Sequence, residues 1–239
     1  NHAPFNDLLS SVGDVHVTAN ACLLCGDPLV LTGELHADSA FGPTDWHINT
    51  TLGADASIRS DGGILKFFGR IDLQSASGAH ALTLEGTGET WLVGDVVGPS
   101  PACTVTKQGS GVAHVRDGQF GGRLTVSEGV LEVYDASLPA GVPVTVSEGA
   151  TLLASHPGKG PGGGTWDNVL SGSGELRLDD IACLRLTGES PDFTGPVVVN
   201  EGDLVVDGVL NGRVSFADWG GTVGGAGTVS EVRTSPIGR

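Results

Sequence analysis

The sequence predicts an all-β fold, a parallel β-helix or β-solenoid, and three observations carry that expectation. Glycine supplies 39 of 239 residues, methionine is absent, and aromatic residues are 5%, a composition that suits many short strands and tight corners better than helices. Near-copies of one strand-and-corner unit, LTVSEG at 124–129, VTVSEG at 144–149 and VVVNEG at 197–202, return in the same order and polarity. The spacing of about twenty residues is too short for a propeller blade or a helical repeat and suits one coil of a solenoid.

The elements follow from those copies. Laying 120–133 (FGGRLTVSEGVLEV) over 193–206 (FTGPVVVNEGDLVV) aligns Phe120 with Phe193, Gly122 with Gly195, Val126 with Val199, and Glu128-Gly129 with Glu201-Gly202. Each copy is apolar alternation, a Glu-Gly corner, and alternation again, which is two strands joined by a bend where glycine permits an unusual φ. A Gly-small-Gly corner recurs at 86–88, 109–111, 172–174 and 225–227, each followed by a further alternating run. A β-sandwich would favour two-residue hairpin turns between antiparallel strands, whereas units in the same order stack in parallel, one coil hydrogen-bonding to the next. Leu124, Val126, Leu131, Val133, Val144, Val146, Leu152, Val197, Val199, Leu204 and Val206 are the expected inward columns. Small residues are expected at the corners because larger ones would strike the next coil.

At about twenty residues per coil the chain predicts one elongated domain over 1–239, less regular in 1–45 and repetitive in 46–239, with about a dozen coils spanning roughly 55 Å. Protruding loops are expected at 37–47, 97–103 and 156–165, where proline and glycine cluster.

Charge excludes some classes. Twelve basic against 28 acidic residues give a net charge of −16, which disfavours a nucleic-acid or anionic-membrane partner and suits a soluble surface. No apolar run is long enough to cross a bilayer as a helix. The opening at Asn1 without a leader suggests a processed product.

The motifs that could carry chemistry are few. Cys22-Leu23-Leu24-Cys25 lacks the further ligands of a zinc site and the βαβ context of a redox motif, so a short-loop disulfide between Cys22 and Cys25 is expected. Cys103 and Cys183 sit about four coils apart, too far for a direct bridge between regular coils, and are free, buried as small apolar residues, or paired with another molecule. Asp179-Asp180 is an acidic pair at a strand end, but consecutive strand residues point to opposite faces, and a solvated turn is expected. The histidines at 2, 16, 36, 47, 80, 114 and 156 form no spaced cluster with carboxylates or thiols. The PGKGPGGGTW stretch lacks the Ser or Thr that a phosphate loop places after its lysine. Trp46, Trp91, Trp166 and Trp219 stack on sugar rings if they are exposed together, and act as caps and loop anchors if they are not. No catalytic residue, metal or cofactor is expected.

The ordered succession of INTTLGADASIRSDGGILKFFGRIDL (48–73), HALTLEGTGETWLVGDV (80–96), TVTKQGSGVAHV (104–115), LSGSGELRL (170–178), LRLTGESPDFTGPVVVNEGDLVVDGVL (184–210) and ADWGGTVGGAGTV (217–229) resembles the autotransporter passenger domains that carry autotransporter-associated β-strand repeats. The resemblance covers most of the chain from Trp46 onward. It implies a right-handed parallel β-helix displayed outside a bacterial cell, with no enzyme site in the repeat itself. The family's Asn-x-Tyr before the Thr-Gly-Gly corner is replaced here by Ser190-Pro191-Asp192-Phe193 and by Asp117-Gly118-Gln119-Phe120. Four cysteines exceed the usual number, and no translocator barrel lies within the sequence. The function expected is therefore a non-catalytic extracellular scaffold, adhesin passenger or self-assembling fibre subunit, secreted or on the bacterial outer surface. It associates with copies of itself or meets a host or neighbouring cell. The alternatives are a carbohydrate-active β-helix enzyme of the tailspike depolymerase kind, which needs acidic and basic side chains stacked on adjacent coils, and a glycan-binding module.

Overall fold

The computed structural model describes residues 12–18, 22–23, 28–38, 42–116, 118–134, 138–155, 164–179, 183–217 and 221–233. Every regular element among them is a strand. The chain divides into two compact units, residues 1–124 and 125–239.

In the first unit five coils each contribute one strand to three parallel faces. The first face is built by Val15–Val17, Glu34–Asp38, Ala56–Asp61, Ala81–Glu85 and Thr104–Lys107. The second takes Cys22–Leu23, Pro43–Trp46, Ile64–Phe67, Glu89–Leu92 and Val112–Val115. The third takes Leu29–Leu31, Thr50–Leu52, Ile71–Asp72, Val96–Gly98 and Gly118–Phe120. A small antiparallel hairpin, Gln74–Ser75 with Gly78–Ala79, interrupts the third coil.

The second unit repeats the scheme. Val130–Tyr134, Thr151–Ser155, Glu175–Asp179 and Pro196–Val199 pair in parallel succession. Gly164–Trp166, Cys183–Leu186, Gly202–Val206 and Gly221–Gly224 form another face. Val144–Val146 pairs with Leu170–Gly172. The long strand Val209–Phe216 merges two faces, pairing with both Glu189–Ser190 and Pro196–Val199.

The solenoid makes about nine turns, not the dozen expected from the sequence. The reason is the length of a turn: Leu35 to its partner Ile58 takes 23 residues, Ala56 to Leu82 takes 26, and the shortest, Val197 to Val214, takes 17. Three faces and their corners consume more chain than two strands and one bend. Regular pairing also begins at Val15, well before Trp46. The loop expected at 37–47 is interrupted by the strand Pro43–Trp46, and the one at 97–103 begins inside the strand Val96–Gly98. Most of the loop expected at 156–165 lies outside the described residues.

All eleven expected inward residues are buried, from 0% to 3% exposed. Leu and Val repeat at each inward position because a parallel strand offers the same environment to every coil, so one column is one residue class. Aromatic rings enter the core as a stack, Trp46 over Phe67 with centroids 5.6 Å apart. Polar side chains also take inward positions, Thr44, Ser60 and Thr90 among them, and one inward residue is charged. Lys107 occupies the column of Ile58 and Leu84 and is 2% exposed. Its ammonium donates to the carbonyls of Gln108 (3.0 Å) and Gly109 (2.5 Å) at the adjoining corner, so the charge is solvated by backbone where the coil bends.

The corners explain the glycines. At Gly172, φ is 100°, and a Cβ built there would lie 2.1 Å from the Val146 carbonyl oxygen of the preceding coil. Gly86 repeats this in the first unit, 2.1 Å from the Ser60 oxygen. The expected collision between coils is therefore the operative constraint at these two corners.

Candidate functional site

Outward side chains on the first unit are arranged in register from coil to coil. On the first face His16 stacks on His36 (4.5 Å, 8° between planes). His36 Nε2 reaches Asp61 Oδ2 at 3.2 Å, and Arg59 Nε donates to the same oxygen at 2.6 Å. The Thr87 amide donates to Asp61 Oδ1 at 3.1 Å. Burial pushes the Asp61 carboxyl up, but Arg59, the Thr87 amide and His36 outweigh it and hold it below the usual carboxylate range. At the corner after the second face, His47 lies flat against Phe68 (4.5 Å, 5°).

The second face carries the densest cluster. Its outward rank reads Cys22, Asp45, Lys66, Trp91, His114 across five coils. Trp91 and His114 are stacked at 3.8 Å with 13° between planes. The Trp91 indole N–H donates to Glu89 Oε1 at 2.6 Å, and His114 Nε2 lies 2.8 Å from the same oxygen. Glu89 precedes Trp91 by two residues, so both project outward from one strand. Beside Glu89 a shallow depression of about 450 Å³ is lined by Gly62, Gly63, Ile64, Thr87, Gly88, Glu89 and Val112. It exists because the corner is glycine: a Cβ at Gly88 would lie 2.6 Å from the Gly63 oxygen, while Gly62 has a φ of 72° with nothing within 4 Å of its Cβ position.

The tryptophans separate. Trp46 and Trp166 are 2% and 1% exposed and act as core anchors; the Trp46 N–H donates to the Ile48 carbonyl at 3.0 Å and to Thr50 Oγ1 at 3.2 Å. Trp91 is half-buried. His114 covers one face of its ring, and the coil carrying Lys66 lies on the other side. Ring planes stacked along the coil direction present edges to solvent, so none of these three offers a free face to a sugar. Trp219 lies outside the described residues.

Cys22, Cys103 and Cys183 are free thiols; Cys25, the expected partner of Cys22, lies outside the described residues. Cys103 is fully buried and its thiol donates to the Leu73 carbonyl at 3.4 Å, the small-apolar role. Cys183 is half-buried in register with Asp203, and burial, reinforced by that carboxylate and opposed by Arg185, pushes its thiol up. Asp179 accepts a hydrogen bond from Asn200 Nδ2, and Asp180 lies outside the described residues.

The expectation that no histidine clusters with carboxylates is corrected by His36–Asp61 and His114–Glu89. These partners are 25 residues apart in each case, so local spacing hides them; a search at one-coil offsets would have found them. His80 Nε2 is also within 3.1 Å of both Ser75 Oγ and Ser77 Oγ at the hairpin. His2 and His156 lie outside the described residues. Among the described residues no group of three or more His, Cys, Asp or Glu is placed to hold a metal ion, and no helix is long and apolar enough to cross a membrane.

The chain matches no family model, and no curated protein or solved structure matches it significantly. Its fold therefore rests on the strand ladder itself.

Proposed function

We propose that this chain is a non-catalytic structural solenoid that serves as an extracellular scaffold or adhesin passenger on a bacterial surface. The observation that supports the reading best is how its outward side chains are used. Arginines pair with acids two residues away on the same strand face, Arg59 with Asp61, Arg70 with Asp72, Arg177 with Glu175 and Arg233 with Glu231. Rings stack on rings of the neighbouring coil. The arginine pairs brace single strands, while the ring stacks, with Arg185 to Asp207 and Arg213 to Glu231 of the neighbouring coil, tie coil to coil. The extracellular location draws on the resemblance to autotransporter passengers.

Self-association belongs to the same proposal. The strand Thr228–Arg233 pairs with Val209–Phe216 on one side, and its Val232 is 42% exposed. Among the described residues no strand pairs with its other side; an unpaired parallel edge accepts a further strand, and a second copy of the chain supplies one. Sedimentation velocity across a hundredfold concentration range tests it: the weight-average sedimentation coefficient rises with concentration, and a concentration-independent monomer overturns self-association.

A second reading has one observation in its favour. Asp45, Lys66, Glu89 and His114 bring acidic and basic groups onto one face of adjacent coils, as a carbohydrate-active β-helix would. Incubation with neutral and acidic polysaccharides separates the two: the scaffold reading requires no shortening of any polymer, and new reducing ends that disappear in Glu89→Gln would replace it.

A further inference from the structure

We infer that the depression beside Glu89 is a binding site for an uncharged saccharide, a function that goes beyond the scaffold role and does not depend on it. The depression holds about 450 Å³ but is shallow and open, a place for one edge of a small molecule and not an enclosing pocket. Its chemistry is that of a hydrogen-bond acceptor set with apolar flanks. Glu89 is 35% exposed in its side chain, and both the Trp91 indole and the His114 imidazole engage its Oε1. The indole hydrogen bond holds Oε1, with the imidazole close beside it, and Oε2 is assigned as the acceptor for a ligand.

Around it stand the backbone of Gly62, Gly63 and Gly88, the Thr87 hydroxyl, and the aliphatic side chains of Ile64 and Val112. A carboxylate oxygen accepts hydrogen bonds only, whereas a hydroxyl both donates and accepts. The matching ligand therefore presents vicinal hydroxyl donors on one edge and C–H groups on a face, which is a pyranose ring. A charged sugar acid does not suit the place. Glu89 itself and Asp61, hydrogen-bonded to the Thr87 amide at the same corner, repel a uronate there, and the chain's net charge of −16 adds to this.

The glycine strip gives the site its access. The approach of the coils excludes a side chain at Gly88, the φ of 72° selects glycine at Gly62, and the backbone there is reached without an intervening Cβ. The Trp91 ring takes no part in stacking on the sugar; it positions Glu89.

Amide-resolved NMR titration of the full chain with a neutral β-linked glucose tetrasaccharide, beside a tetrasaccharide of galacturonate, tests the assignment. The neutral sugar is expected to shift the amides of Gly62, Gly63, Thr87, Gly88 and Glu89 with a dissociation constant in the millimolar range, and the uronate to leave them in place. Glu89→Gln, nearly isosteric, is expected to weaken that binding tenfold or more. Thr87→Trp, at an exposed position, is expected to block it with the spectrum elsewhere unchanged. No shift at 20 mM sugar, shifts located elsewhere, equal response to the uronate, or an affinity unchanged in Glu89→Gln would each overturn the site. Failure here would leave the sedimentation result untouched, so the two proposals fall separately.

Discussion

Replacing Gly172 and Gly149 by alanine, one at a time, separates the two reasons a solenoid corner needs glycine. Both residues have positive φ, 100° and 79°. At Gly149 a Cβ would meet nothing within 4 Å, so the cost is that of a left-handed alanine, about 1–2 kcal/mol. At Gly172 the Cβ would lie 2.1 Å from the Val146 oxygen and 2.9 Å from the Val146 carbonyl carbon, a contact that must be relieved by moving one coil away from the next. That motion pulls on the Gly174 amide, which donates to the same Val146 oxygen at 3.0 Å. The same left-handed cost of about 1–2 kcal/mol and about 1–3 kcal/mol for overpacking give about 2–5 kcal/mol in all. Urea denaturation followed by far-ultraviolet circular dichroism measures the difference. Hydrogen exchange at the corner amides serves as a second readout, since a repeat array need not unfold in one step. Equal losses for the two variants, within about 0.5 kcal/mol, would refute the claim that coil-to-coil contact selects these glycines.

Phe67→Ala empties a fully buried position stacked on Trp46 and should cost about 3–5 kcal/mol in the same assay. Asp61, held below the usual carboxylate range, contributes stability that is present above its unfolded value of about 3.9 and is lost as pH falls through its lower folded value; Asp61→Asn should remove that part of the acid dependence, measured as denaturation midpoint against pH. Cys183, with its thiol pushed up by burial, should alkylate more slowly at pH 8 than a free cysteine. Cys103, fully buried, should react only after unfolding, and mass spectrometry of peptides from a timed alkylation distinguishes the two.

Much of the fold was legible because a parallel ladder repeats its demands. Leu124, Val126, Leu131 and Val133 are recognisable as inward residues from alternation alone, and all are buried. The number of turns was not legible, since the Glu-Gly and Gly-small-Gly corners mark two bends of a coil that has three faces. Lys107 escaped notice because alternation reads residue class, while its burial depends on two carbonyls at the next corner. The Glu89–Trp91–His114 cluster was hidden for a different reason: Glu89 and Trp91 share a strand, but His114 joins them only by register between coils. Trp46 and Trp91 illustrate the same limit. They differ by one step of alternation, inward against outward, and the sequence offered both roles to each.

The account stands on parallel, in-register stacking, and paired spin labels on adjacent coils test it most directly. With native cysteines replaced, labels are placed at Ala81→Cys with Thr104→Cys, at Glu85→Cys with Gln108→Cys, and across the diagonal at Ala81→Cys with Gln108→Cys. Ala81 is aligned with Thr104, and Gln108 Nε2 donates to Glu85 Oε2 at 3.2 Å, so both in-register pairs should show strong dipolar broadening in continuous-wave spectra. The diagonal pair, four residues out of step and about 13 Å further along the strand, should be much weaker. Strong coupling on the diagonal with weak coupling in register would mean antiparallel neighbours, and the solenoid would have to be abandoned.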